Sequence, residues 1–203
     1  MFGRLLAHPG VEEVCEFRSS FGFMAFHGGS LEGNTDVIAR AAAEKSGASY
    51  YGVHHPPDLK WHIPSHKITP SASSALASFV NHVDVVVTVH GYRRKDLSTT
   101  LLLGGRNREL ALHFAQHLRS WLPNYDIEHD LEQIPSDLAG QHPLNPVNLP
   151  RGSGVQIELP SQIRGTNPVL SPDTRALVDG LAAAALSWSD PVHYGAKRSI
   201  DQL

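Results

Sequence analysis

Positions 83–89 read Val-Asp-Val-Val-Val-Thr-Val and stop at His90-Gly91. β-branched side chains favour extended backbone. A run with so little polar alternation fits a strand covered on both faces. That strand sets the frame for the other segments. Phe21–Phe26 is a second buried run, ending in His27-Gly28-Gly29. Ser49–Val53, Thr100–Leu103 and Val155–Leu159 read as further strands. Between them lie helical patterns. Thr35–Lys45 carries Val37, Ile38, Ala41 and Ala42 at helical spacing, with Asn34 or Thr35 as cap and Gly47 as stop. Ser73–Val83 and the amphipathic stretch Asn107–Leu122 follow the same pattern, and Pro172 opens a helix that runs to Trp188. Segments 54–70 and 133–151 are rich in proline and read as irregular, as does the polar stretch 93–99. Alternating strands and helices predict an α/β fold: one open, mostly parallel or mixed sheet with helices on both faces. A single domain is expected over residues 1–188, with a polar tail at 189–203.

Composition removes several classes of function. The lone cysteine, Cys15, excludes a disulfide framework and a cysteine zinc finger, and reads as a small core residue. Seventeen basic against twenty acidic side chains give a net charge of −3, and the best basic run is Arg93-Arg94-Lys95. No nucleic-acid partner is expected from that. The apolar run near Leu181–Leu186 is too short to span a bilayer. Met1-Phe2-Gly3-Arg4 shows no secretory pattern, so a cytoplasmic protein without membrane attachment is expected. Histidine stands out, at 13 of 203 residues.

Sites in open α/β sheets form at the carboxyl ends of strands. That rule marks His27, His90, Gly104-Gly105 and Glu158. The turn His27-Gly28-Gly29-Ser30-Leu31-Glu32 brings an imidazole and a carboxylate together, five residues apart. With His90 they make a three-ligand set of the catalytic zinc type, the fourth position being open to water. Glu158 is then placed to take a proton from that water. Each residue also has a plainer reading. Gly-Gly after a strand serves ordinary tight turns and phosphate-binding turns, His90 fits a buried hydrogen-bonded histidine, and Glu158 fits a half-buried strand carboxylate. A non-catalytic module that cradles an anion or nucleotide in the Gly-Gly turns is the alternative function, although neither turn has a nucleotide-binding fingerprint.

The segments Phe21–Gly29 with Glu32 and Thr35-Asp36, Val89–Tyr92, Leu103–Asn107 and Gly154–Leu159 resemble, in this order, the poly-γ-glutamate hydrolase family. The similarity extends over about residues 5–188. The resemblance implies a zinc-dependent amidohydrolase with a fold like that of zinc carboxypeptidases and N-formylglutamate amidohydrolases. It implies zinc ligands at His27, Glu32 and His90 and a general base at Glu158. The five-residue His–Glu spacing departs from carboxypeptidases, where the pair lies closer, and matches the γ-glutamate hydrolases. The implied reaction is hydrolysis of an amide, γ-glutamyl among the options, in a small-molecule or peptide substrate of acidic character. Arg106 and Arg164 are the arginines expected to clamp a carboxylate or the oxyanion. Tyr92 and His62 are the further substrate-binding candidates, and His66 is placed beside His62 on the cleft. His54, His55, His113, His117, His129 and His142 read as structural or surface residues.

Overall fold

A computed structural model describes residues 1–165 and 170–189. Beyond Ser189, the tail expected at 189–203 lies outside the described residues. The strands are β1 (Glu12–Glu16), β2 (Phe21–Gly29), β3 (Ser49–His55), β4 (Val85–Tyr92), β5 (Thr100–Leu103), β6 (Asp126–Glu128) and β7 (Gly154–Pro160). The helices are α1 (Phe2–Leu6), α2 (Thr35–Ser46), α3 (Ser74–His82), α4 (Arg108–Trp121), α5 (Ser161–Arg164) and α6 (Pro172–Ser187). The seven strands form one sheet in the order β1-β3-β2-β4-β7-β5-β6. The central strands β3, β2, β4 and β7 are mutually parallel. β1 joins β3 antiparallel, and β5 joins β7 antiparallel while pairing in parallel with β6. The expected mixed sheet is therefore observed.

Alternation along the central strands fills two cores. Phe21, Phe23, Val85, Val87, Val89, Val155 and Ile157 face α2, α4 and α6, where Ile38, Phe114, Leu118 and Leu177 complete one buried cluster. Met24, Phe26 and Val86 point the other way, against Phe2 and Leu5 of α1 and Leu76 and Phe79 of α3. The second set of positions continues as Thr88 and His90 on β4 and as Gln156 and Glu158 on β7. Period-two geometry thus carries an apolar face into a polar one at the strands' carboxyl ends. The chain leaves β2 through α2 to reach β3, then returns through α3 on the opposite face to reach β4. The reversal falls between β2 and β4. That is where an open sheet leaves a crevice, and His27 and His90 sit on those two strands.

Several local expectations change. The strand from residue 21 runs three residues further than its apolar run, with His27 inside a register shift after which Gly28 and Gly29 pair with His54 and His55 of β3. The valine strand starts at Val85 and continues through His90 to Tyr92. Asn34 stands at the start of α2 with φ +67° and no side-chain cap. Its amide instead donates to the Arg164 carbonyl at 2.8 Å. Gly47 ends that helix with φ +67° as expected. Ser171 and Asn107 cap α6 and α4 through their side-chain oxygens.

Candidate active site

His27 ends the buried part of β2, and the turn after it places Glu32 against both strands. His27 Nδ1 lies 2.8 Å from Glu32 Oε1, and the ring donates from Nε2 to the Ile63 carbonyl at 3.0 Å. The other carboxylate oxygen, Oε2, accepts from the Gly91 N–H at 2.8 Å and lies 3.4 Å from His90 Nδ1. Burial alone would raise the Glu32 carboxyl, but the two imidazoles outweigh it and hold the group well below the usual carboxylate range. His90 is itself buried. Desolvation pulls its pKa down, yet Glu32 and then Glu158 leave it raised overall. His90 Nε2 is buried with no hydrogen-bond partner. Such an orphan costs about 1–3 kcal/mol unless something binds it.

Glu158 is the direct cross-strand neighbour of His90. Burial pushes its carboxyl up to about 7, against the pull of His90. The Gln156 amide donates to Glu158 Oε1 at 2.9 Å, and Asn145 donates to Gln156 Oε1 at 2.8 Å. This relay fixes which way the Gln156 amide points. Oε2 of Glu158 has no hydrogen-bond partner among the described residues.

His27, Glu32, His90 and Glu158 all line one cleft of about 540 Å³. Its walls come from the loop after β3, with His62 and His66, and from the segment before β7, with Asp137, Gln141, His142 and Asn145. The irregular stretch 133–151 is thus a cleft wall. His142, read from sequence as structural or surface, belongs to it; an irregular segment carries no periodic signal to place it. The His62 ring lies 4.5 Å from that of His27. His27, Glu32 and His62 offer donor atoms within 4.8 Å of one another, close enough to hold a metal ion. His90 stands outside that set of mutual distances, with its Nδ1 3.4 Å from Glu32 Oε2. Two or three imidazoles around one carboxylate, with one buried ring nitrogen unpartnered, fit a divalent transition metal.

The other expected binding residues are not in the cleft lining. The Tyr92 hydroxyl is 2.6 Å from the carbonyls of Leu97 and Thr100, so it pins the β4–β5 connection. Arg164 is buried behind Gly91 and donates to the carbonyls of Leu159 and Gly33 at 3.2 and 3.0 Å. Arg106 is exposed, and its backbone N–H is taken by Asn148 Oδ1 at 3.0 Å. The Gly-Gly turns are closed by the chain itself. Gly104 and Gly105 donate their N–H groups to the carbonyls of Gln156 and Ala139, at 2.8 Å each. Gly28 packs against Asp36 and Gly29 against the His55 carbonyl. At Gly104-Gly105 neither N–H is left free to cradle an anion.

Residues 6–167 match the family model described as poly-gamma-glutamate hydrolase. Among solved structures, a bacteriophage poly-gamma-glutamate hydrolase aligns with a TM-score of 0.74 at 19% identity, over 92% of this chain and 90% of that one. The zinc-free form of YNDL aligns with a TM-score of 0.68 at 21% identity, over 94% and 91% of the two chains. A metallo-carboxypeptidase from Burkholderia cenocepacia aligns at 0.51 and 12% identity, over 96% of this chain and 68% of that one. These likenesses establish a common fold. No curated protein matches the chain.

Proposed function

The chain belongs to the poly-gamma-glutamate hydrolase family, and from that premise we propose that it is a metal-dependent hydrolase of γ-glutamyl amide bonds, with Glu158 as its general base. The observation that carries this reading is the meeting of His27, Glu32, His90 and Glu158 on one cleft at the strands' carboxyl ends. His27, Glu32 and His90 would hold the ion, zinc by preference, with His62 the neighbouring imidazole. When bound, such an ion supplies a Lewis acid for the amide carbonyl and a more acidic water.

The protein's own groups account for the remaining steps. The Ile63 carbonyl holds the Nε2–H of His27 and so orients Nδ1 toward the centre. Gly91 fixes one oxygen of Glu32. Gln156 holds Oε1 of Glu158 and leaves Oε2 to accept the proton of the attacking water. Glu158 then returns that proton to the leaving nitrogen as the C–N bond breaks, giving a carboxylate and an amine. Burial raises this carboxyl while a bound cation would lower it, and the balance sets how readily it hands the proton on.

Metal analysis and amine release from a γ-glutamyl amide test the reading together. Wild type is expected to carry about one zinc per chain, and His90→Ala to lose both metal and activity. A wild-type protein that takes up no metal after zinc addition and dialysis would overturn it. So would a Glu158→Gln variant that still turns over.

A further inference from the structure

We infer that His66 and His142 form the subsite that holds a free carboxylate of the substrate. The inference rests on the amide-hydrolase reading and adds which side chains meet the substrate's charge. A γ-linked glutamyl unit keeps its α-carboxylate free, so a chain of them enters the cleft as a polyanion. The cleft receives it with three carboxylates of its own, Glu32, Asp137 and Glu158. Among the described residues no lysine or arginine lines it. Arg94 pairs with Asp137 at 2.6 Å and cancels that charge. Arg164 is committed to backbone carbonyls behind Gly91. Imidazoles are the groups left in the lining that can offer ring N–H donors to an anion.

Of these, His27 and His90 belong to the proposed metal centre and His62 stacks on His27. His66 and His142 stand apart as a second pair, with ring centroids 4.7 Å apart and planes 33° from each other. They come from two separate segments that line the cleft, one from the loop after β3 and one from the segment before β7. The Leu144 N–H donates to His142 Nδ1 at 3.1 Å. That bond fixes the neutral tautomer and leaves Nε2–H as a donor. No hydrogen bond engages the His66 ring among the described residues. Two adjacent rings with free N–H groups match the two oxygens of a carboxylate. A carboxylate accepts from such N–H groups in charge-assisted hydrogen bonds.

The test compares γ-linked triglutamate with the same peptide carrying its carboxylates as amides. Both are measured on metal-loaded wild type and on His66→Ala, His142→Ala and the double variant. KM comes from amine release, and binding from the imidazole NMR signals. Wild type is expected to prefer the acidic peptide in both readouts. Each single variant raises the KM for the acidic peptide by about tenfold, as one lost charge-assisted hydrogen bond predicts. The neutral peptide's KM stays where it was, and zinc content is kept. His142→Asn, which retains an N–H donor, recovers part of the loss. Equal treatment of both peptides by wild type, or unaltered discrimination in the double variant, would overturn the subsite. Charge discrimination in binding without any hydrolysis would support the subsite while sinking the hydrolase reading.

Discussion

Glu158 bears a cost in the folded state that its proposed role explains. Its carboxyl has an ordinary value of 4.5 and is pushed up to about 7 by burial. The folded protein therefore holds this proton more tightly than the unfolded chain. The group's contribution to stability is full below pH 4.5 and is lost as pH rises through 7. Above that it amounts to a penalty of about 3 kcal/mol in the metal-free protein. Glu158→Gln removes the charge and keeps the shape, so metal-free E158Q is expected to be more stable than wild type at pH 8. The difference should shrink toward pH 5, as denaturant unfolding at both pH values would show. The same variant is expected to lose about 10²- to 10⁴-fold in kcat, the usual share of a general base, while retaining zinc. In the loaded enzyme a nearby cation favours the carboxylate, so the acid limb of kcat/KM is expected to lie below pH 7. Equal stabilities at pH 8 would mean that the carboxylate finds better solvation than its burial implies.

The carboxyl end of β2 is built around a residue without a side chain. A Cβ at Gly28 would run into the side chain of Asp36, in the first turn of α2. Asp36 in turn accepts from His54 Nδ1 at 2.7 Å. Gly28→Ala is therefore expected to push β2 away from α2, carrying His27 with it. Overpacking of this kind costs about 1–3 kcal/mol, and zinc affinity should fall with stability. Ser171→Ala makes the contrast. It removes the cap of α6, on the face away from the cleft, and is expected to cost about 1 kcal/mol with kcat unchanged. Thermal melts and zinc titrations of the two variants separate a change in the site from a change in the fold. The same logic explains which elements the sequence made legible. β2, β4 and β7 are covered on both faces, so their apolar runs announce them. β1 is Glu-Glu-Val-Cys-Glu and β6 is Asp-Ile-Glu, short charged edge strands that read like loops. The strand-end rule picks out His27, His90 and Glu158 from the sequence, and the fold brings all three to one cleft. Tyr92, Arg106 and Arg164 fall outside the lining of that cleft, because a position near a strand end does not tell where a long side chain goes. Local carbonyls capture Tyr92 and Arg164.

Metal binding should be felt by the whole molecule, because its proposed ligands bridge the middle of the sheet. His27 and His90 lie on the adjacent parallel strands β2 and β4, and Glu32 ties them together. These strands contribute to both hydrophobic cores, so opening the site and unfolding the domain are one event. A ligand bound only by the folded state adds RT ln(1 + [L]/Kd), about 4 kcal/mol at a thousandfold excess over Kd. For a domain of this size that is a rise of roughly 10 °C in Tm. His90→Ala is expected to abolish the rise, and Glu158→Gln to keep it. The pH dependence supplies a second check. Ligand imidazoles must shed their protons to bind metal, so the zinc-dependent gain should grow as pH rises from 5 to 7.5. The contribution of Glu158 in the metal-free protein moves the opposite way. Scanning calorimetry across that range, with zinc and with chelator, would show the two melting curves diverging as pH rises. Parallel curves would mean that these imidazoles bind no metal, and that the polar patch at the crevice is stabilised by its own hydrogen bonds alone.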